Sequence, residues 1–168
     1  RVESVFWLDA DTAILKPFDE VVNWADFDFR YQVEIPPIYG VNGGQLWFNH
    51  TDASFRFLSK MFQHDGKTNE LDQRYAAFEL DKSVGLRAAP LPLDRFRSHC
   101  FVTFRGAIGV ISRARTYHVS CVGRQAKFDV MAGAINAFNK AVPGGGPISH
   151  FIPDNNICCV QGHADYLE

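Results

Sequence analysis

The sequence predicts an α/β fold, a mixed sheet flanked by helices. An apolar run, Val5-Phe6-Trp7-Leu8, reads as a strand buried on both faces, and it ends on two carboxylates, Asp9 and Asp11. Strand patterns and helical patterns follow one another as far as residue 142. The chain has 168 residues, 46% hydrophobic and 21% charged, which is enough apolar material for one domain with a real core. That domain is expected over 1–142. Val142-Pro143-Gly144-Gly145-Gly146-Pro147 breaks regular structure and starts a tail over 143–168.

The elements follow in order. After the Val5–Leu8 strand, Phe18 to Trp24 is expected to be a short helix, with Asp19 and Glu20 in the first turn, where negative charge suits the dipole. Phe27 to Val33 alternates apolar and polar residues, a strand pattern. Ile35-Pro36-Pro37-Ile38 must be a loop or an edge, because proline cannot donate to a central ladder. Gly40 to Asn49 opens on glycines and continues as an apolar strand. Thr51 or Asp52 can cap a helix to about Gln63, with Phe55, Leu58, Met61 and Phe62 on its apolar side. A second helix is capped near Asn69 and runs past Phe78. Gly85 to Leu93 reads as a strand with a proline-broken end, and Cys100 to Phe104 and Ala107 to Ile111 as short strands. The stretch from Arg115 includes a late strand ending in His118. Gln125 to Ala141 is a last helix, with Phe128, Met131, Ala132, Ile135 and Phe138 at helical spacing and expected in the core.

The acid pair carries the chemistry. In an extended chain, residues i and i+2 project the same way, so Asp9 and Asp11 would point together from the strand's end. Two carboxylates that close repel, and a hard divalent cation such as Mn2+ or Mg2+ would satisfy them. Ligands of open α/β sheets bind outside the carboxyl ends of the strands, where this pair lies.

Strand, Asp9-x-Asp11-Thr12, three apolar residues, Lys16-Pro17, apolar, Asp19-Glu20 resembles the metal-binding segment of nucleotide-sugar glycosyltransferases of the GT-A fold, in particular glycosyltransferase family 8 and related retaining families. The resemblance implies a Rossmann-like mixed sheet. That family's first nucleotide-binding βαβ units precede this strand, and here none do, so the chain is expected to be part of a longer enzyme. It also implies transfer of a sugar from a nucleotide-diphosphate donor, a UDP-sugar by the family's habit, to a hydroxyl of a glycan, protein or lipid, with retention of configuration.

Further residues resemble the family's later segments. Asn42 and Gly44 match a strand start where an asparagine contacts sugar; in isolation the residues read sooner as an ordinary Asn-Gly turn, and it is their place about thirty residues after the acid pair that favours the site. Asp72 and Gln73 match a helix start that faces the anomeric carbon, although the family's downstream asparagine is replaced by Ala76 and Ala77. Enrichment of acids in a helix's first turn explains the pair equally well. His118, Gly123 and Lys127 match a histidine that completes the metal site and a glycine and lysine that hold the diphosphate, at looser spacing than in family 8. A neutral imidazole is a reasonable third ligand for Mn2+, and Lys127 or Arg124 would neutralise phosphate charge.

Other classes are disfavoured. A formal net charge of -2 implies no nucleic-acid surface. No apolar stretch approaches the ~18 residues that a membrane-spanning helix needs. Cys100, Cys121, Cys158 and Cys159 lack zinc spacing, and their even number permits disulfides without requiring them. Asn49-His50-Thr51 is a formal glycosylation acceptor at what reads as a strand end. A dehalogenase-type phosphatase also uses Asp-x-Asp, but Ala13 stands where it wants Thr or Val, and no later acidic pair follows. A catalytically inactive sugar- or metal-binding relative remains the alternative to an enzyme.

Overall fold

The structure is a computed structural model that describes residues 3–17, 23–33, 40–64, 72–99, 113–120 and 124–141. The fold is mixed α/β, and the chain divides into two compact units, Arg1–Asp9 with Asp19–Leu93, and Ala10–Phe18 with Asp94–Glu168.

In the first unit, β1 (Ser4–Leu8), β3 (Phe29–Gln32), β4 (Asn42–Asn49) and β5 (Ala88–Pro90) form a sheet in the order β1-β4-β3-β5. β4 pairs antiparallel with β1 and β3, and β5 runs parallel to β3. Strand alternation sends Leu46 and Phe48 of β4 to one face and Gln45 and Trp47 to the other. Phe29 lies opposite Phe48 in the ladder, with ring centroids 4.9 Å apart, and the Phe57 ring meets Phe29 at 4.8 Å. Phe57 comes from α1 (Asp52–His64), which packs beside α2 (Asp72–Lys82). Phe29, Val41, Leu46, Phe48, Phe57 and Ala76 form this unit's buried core. Thr51 caps α1, its Oγ1 accepting the Ser54 N–H at 3.2 Å.

Several expectations change in this unit. β1 is a strand but is not buried on both faces: Val5 and Trp7 are 52% and 57% exposed, because β1 is the end strand of the sheet with β4 as its partner. An apolar run reports strand propensity but not what covers it. Of the helix expected over Phe18–Trp24, residues 18–22 lie outside the described set, and Asn23 leads into a short 3-10 turn at Trp24–Asp26. On α1 the buried aromatic is Phe57, whereas Phe55 and Phe62 are exposed. Gly85 to Leu93 contributes only Ala88–Pro90, a short end strand that tolerates its proline. The second helix is described from Asp72, and its expected cap at Asn69 lies outside the described residues.

In the second unit, β2 (Thr12–Ile14), β6 (Phe96–Ser98) and β7 (Thr116–His118) form a sheet in the order β2-β7-β6. β7 is antiparallel to β2 and parallel to β6. The helix α3 (Arg124–Ala141) packs on β2 and β7. Val130, Ala134 and Phe138, at i, i+4 and i+8, are buried with Ala114, Tyr117 and Val119. Phe138 and Met131 therefore face the core as expected, while Phe128 is 69% exposed and Ile135 is partly so. Apolar residues recur on more than one side of α3, so periodicity alone does not choose the buried face. The strands expected at 100–104 and 107–111, the four cysteines and the 143–168 tail lie outside the described residues.

Candidate functional site

Two groups of side chains form, one within each unit, and Ala10 is the residue between their nearest members in the chain.

In the second unit the ladder does the positioning. Thr12 pairs with His118, and the Val119 N–H donates to the Asp11 carbonyl at 3.0 Å. This brings the Asp11 side chain, more than a hundred residues away in sequence, to the histidine. The strand β1 stops at Leu8, and Ala10 and Asp11 lie in a turn, so it is pairing with β7 rather than extended alternation that orients Asp11. Asp11 Oδ1 lies 3.3 Å from His118 Nε2. Asp11 Oδ2 accepts a hydrogen bond from the Lys127 ammonium, which comes from the first turn of α3. His118 is nearly fully buried, while Asp11 and Lys127 retain partial exposure. An oxygen and a nitrogen donor at this separation form two ligands of a kind that Mn2+ accepts, provided the neutral ring keeps its lone pair on Nε2. The first turn of α3 holds no acidic residue, so Lys127 meets its carboxylate from another element. A cation in a helix's first turn is unfavourable to the dipole, and Asp11 offsets that.

Behind His118 lies a buried polar cluster that the sequence reading did not single out. Ser98 and Ser120 hydroxyls meet at 2.7 Å, and Ser98 is the ladder partner of His118. His99 Nδ1 lies 2.9 Å from the Tyr117 hydroxyl. Burial pushes the His99 imidazole down to about 4, so it is neutral, and pushes the Tyr117 phenol up. β6 is three residues long, too short for any periodic pattern to announce it.

In the first unit, the end of β1, the start of β4 and the start of α2 converge. The Asp9 N–H donates to the Gly44 carbonyl at 2.9 Å, and the Trp7 indole donates to Asp9 Oδ1 at 3.2 Å. The Gly44 N–H donates to Asn42 Oδ1 at 2.9 Å, and the Gly43 N–H to Gln73 Oε1 at 3.4 Å. Asn42 is thereby a buried residue whose amide oxygen shapes its own strand start. Asp72 is the first residue of α2. Gly123 lies outside the described residues. Asn49, the formal glycosylation site, closes β4, with its amide donating to the Phe27 carbonyl at 3.3 Å.

Among the described residues, no helix is long and apolar enough to cross a membrane. No family model matches the sequence, and no curated protein does. The crystal structure of the glycosyltransferase GlyE in Streptococcus pneumoniae TIGR4 is similar to this chain, with a TM-score of 0.50 and 14% sequence identity over 90% of this chain and 46% of that one. At that identity the likeness is one of fold, and the chain spans about half the length of the solved structure.

Proposed function

We propose that this chain belongs to a metal-dependent glycosyltransferase of the GT-A kind that moves a sugar from a nucleotide-diphosphate donor, a UDP-sugar by preference, to a hydroxyl acceptor. The observation that supports this reading above the others is the meeting of Asp11, His118 and Lys127 within one unit. The three come from segments singled out separately along the sequence, and together they supply two metal ligands and a phosphate-neutralising cation.

Asp9, Asp11 and His118 are the proposed ligands of Mn2+ or Mg2+. Asp9 is included because one residue separates it from Asp11, which limits the two Cα atoms to about 7 Å. The ion would supply Lewis-acid stabilisation of the diphosphate leaving group as the glycosidic bond breaks. Lys127 adds positive charge to that leaving group, and Gly123 would let backbone approach it. Asn42 and Gly44 would line the sugar. Asp72 and Gln73 would face the anomeric carbon and stabilise an oxocarbenium-like centre. Gln73 Oε1 accepts the Gly43 N–H, which ties the start of α2 to the start of β4. Retention of configuration is proposed from the family resemblance.

Isothermal titration of Mn2+ with UDP into the wild-type chain and into Asp11→Ala tests the reading. Binding that needs both ligands and is lost in Asp11→Ala is the expected result. Equal binding by a folded Asp11→Ala would remove Asp11 from the site and the reading with it.

A further inference from the structure

We infer that Lys127 is a built-in counter-cation of the metal position: its ammonium holds the Asp11 carboxylate until a divalent cation takes that carboxylate over, and it then turns to the donor's diphosphate. This rests on the reading of Asp11 as a metal ligand.

Both oxygens of the Asp11 carboxylate have a polar neighbour within the second unit. Oδ2 accepts from Lys127 Nζ, and Oδ1 lies 3.3 Å from His118 Nε2. An oxygen ligand sits about 2.0–2.2 Å from a small divalent ion. An ammonium on the same carboxylate would stand within about 4 Å of that ion, and the like charges would repel at low local dielectric. That repulsion weakens the hold of the ammonium on the carboxylate once the doubly charged ion, the stronger competitor, is bound.

Lys127 is suited to leave. Its side chain is 33% exposed, against 5% for His118, so of the two partners of Asp11 it is the one with access to solvent. Its stem has four rotatable carbons. The first turn of α3 offers it no other carboxylate, and Asp129, two residues on, points from a different side of the helix. A diphosphate bound to the metal is the anion we propose to receive Lys127. Binding is thereby ordered, metal first and nucleotide second. Loss of Lys127 has opposite effects on the two ligands, whereas loss of a merely structural lysine would weaken both or neither.

The test measures Mn2+ uptake by the disappearance of the free-ion paramagnetic resonance signal for wild type, Lys127→Met and Lys127→Arg. UDP titrations at saturating Mn2+ follow, and circular dichroism checks that each protein is folded. Lys127→Met is expected to bind Mn2+ alone about 1.5-fold to fivefold more tightly, the range into which a partly exposed ion pair converts, and to bind UDP more weakly by a similar factor. Lys127→Arg, which keeps the charge, is expected to bind Mn2+ like wild type. Lys127→Gln replaces Lys127→Met if the latter fails to fold. Mn2+ affinity unchanged or lowered in the neutral variant, with wild type still binding, overturns the counter-cation role and leaves the metal reading standing. Tighter Mn2+ binding with unchanged UDP affinity overturns the hand-over to diphosphate. No Mn2+ uptake by any of the folded proteins overturns the metal reading and this inference together.

Discussion

Lowering the pH should destabilise the second unit through one histidine. His99 is 2% exposed, its Nδ1 lies 2.9 Å from the Tyr117 hydroxyl, and burial depresses its pKa from the usual 6.5 to about 4. An unfolded chain takes up a proton at this site below 6.5 that the folded chain refuses until about 4. Stability from the neutral imidazole is therefore complete above 6.5 and is lost as the pH falls toward 4. The full gap corresponds to about 3 kcal/mol, of which about 2 kcal/mol is gone by pH 5. Replacing the residue by His99→Gln removes the titration while keeping an amide that can meet the Tyr117 hydroxyl. Urea unfolding followed by circular dichroism at pH 7.5 and pH 5 would read the difference. Wild type should lose about 2 kcal/mol more than His99→Gln between those two conditions. Parallel losses in the two proteins would refute the argument, since they would mean that His99 titrates alike in the folded and unfolded chains.

Two further predictions concern the first unit. Phe57→Ala removes a fully buried ring that packs at 4.8 Å on Phe29, and thermal unfolding should show a loss of about 4 kcal/mol. Asp28 accepts from the Arg87 guanidinium at 2.9 and 3.1 Å and from the Arg87 N–H at 2.9 Å, and the guanidinium's hydrogen bonds hold its carboxyl down at about 2 against the usual 3.8. That stabilisation is present above 3.8 and is lost as the pH falls toward 2, so acid unfolding of Asp28→Asn should show a shallower dependence on pH in that window than wild type.

The local elements were largely legible because each has a local cause. Thr51 ahead of an apolar helical pattern gave a capped α1, and the run through Leu46, Trp47 and Phe48 gave the long central strand β4. The stretch from Arg115 gave a strand ending at His118, and the helical spacing from Gln125 gave α3 to within a residue. What was not legible depends on partners. Val5 and Trp7 look like core residues in sequence and are exposed at the end of a sheet, because β4 covers one side of β1 only by backbone pairing. Phe57 rather than Phe55 is buried because α1 meets Phe29 along one line of contact. β2 and β6 are three residues each and carry no periodicity at all.

By itself the sequence determined which residue types could do chemistry here: a spaced acid pair after an apolar strand, a late histidine and a lysine near a helix start. It could not determine that Asp11, His118 and Lys127 meet, since residues so far apart in the chain are joined only when the antiparallel pairing of Thr12 with His118 forms and α3 packs on that ladder. Nor could it show that the lysine holds the carboxylate. That contact depends on where the first turn of α3 lies against β2 and β7, which is set by burial of Val130, Ala134 and Phe138 and not by anything local to Lys127.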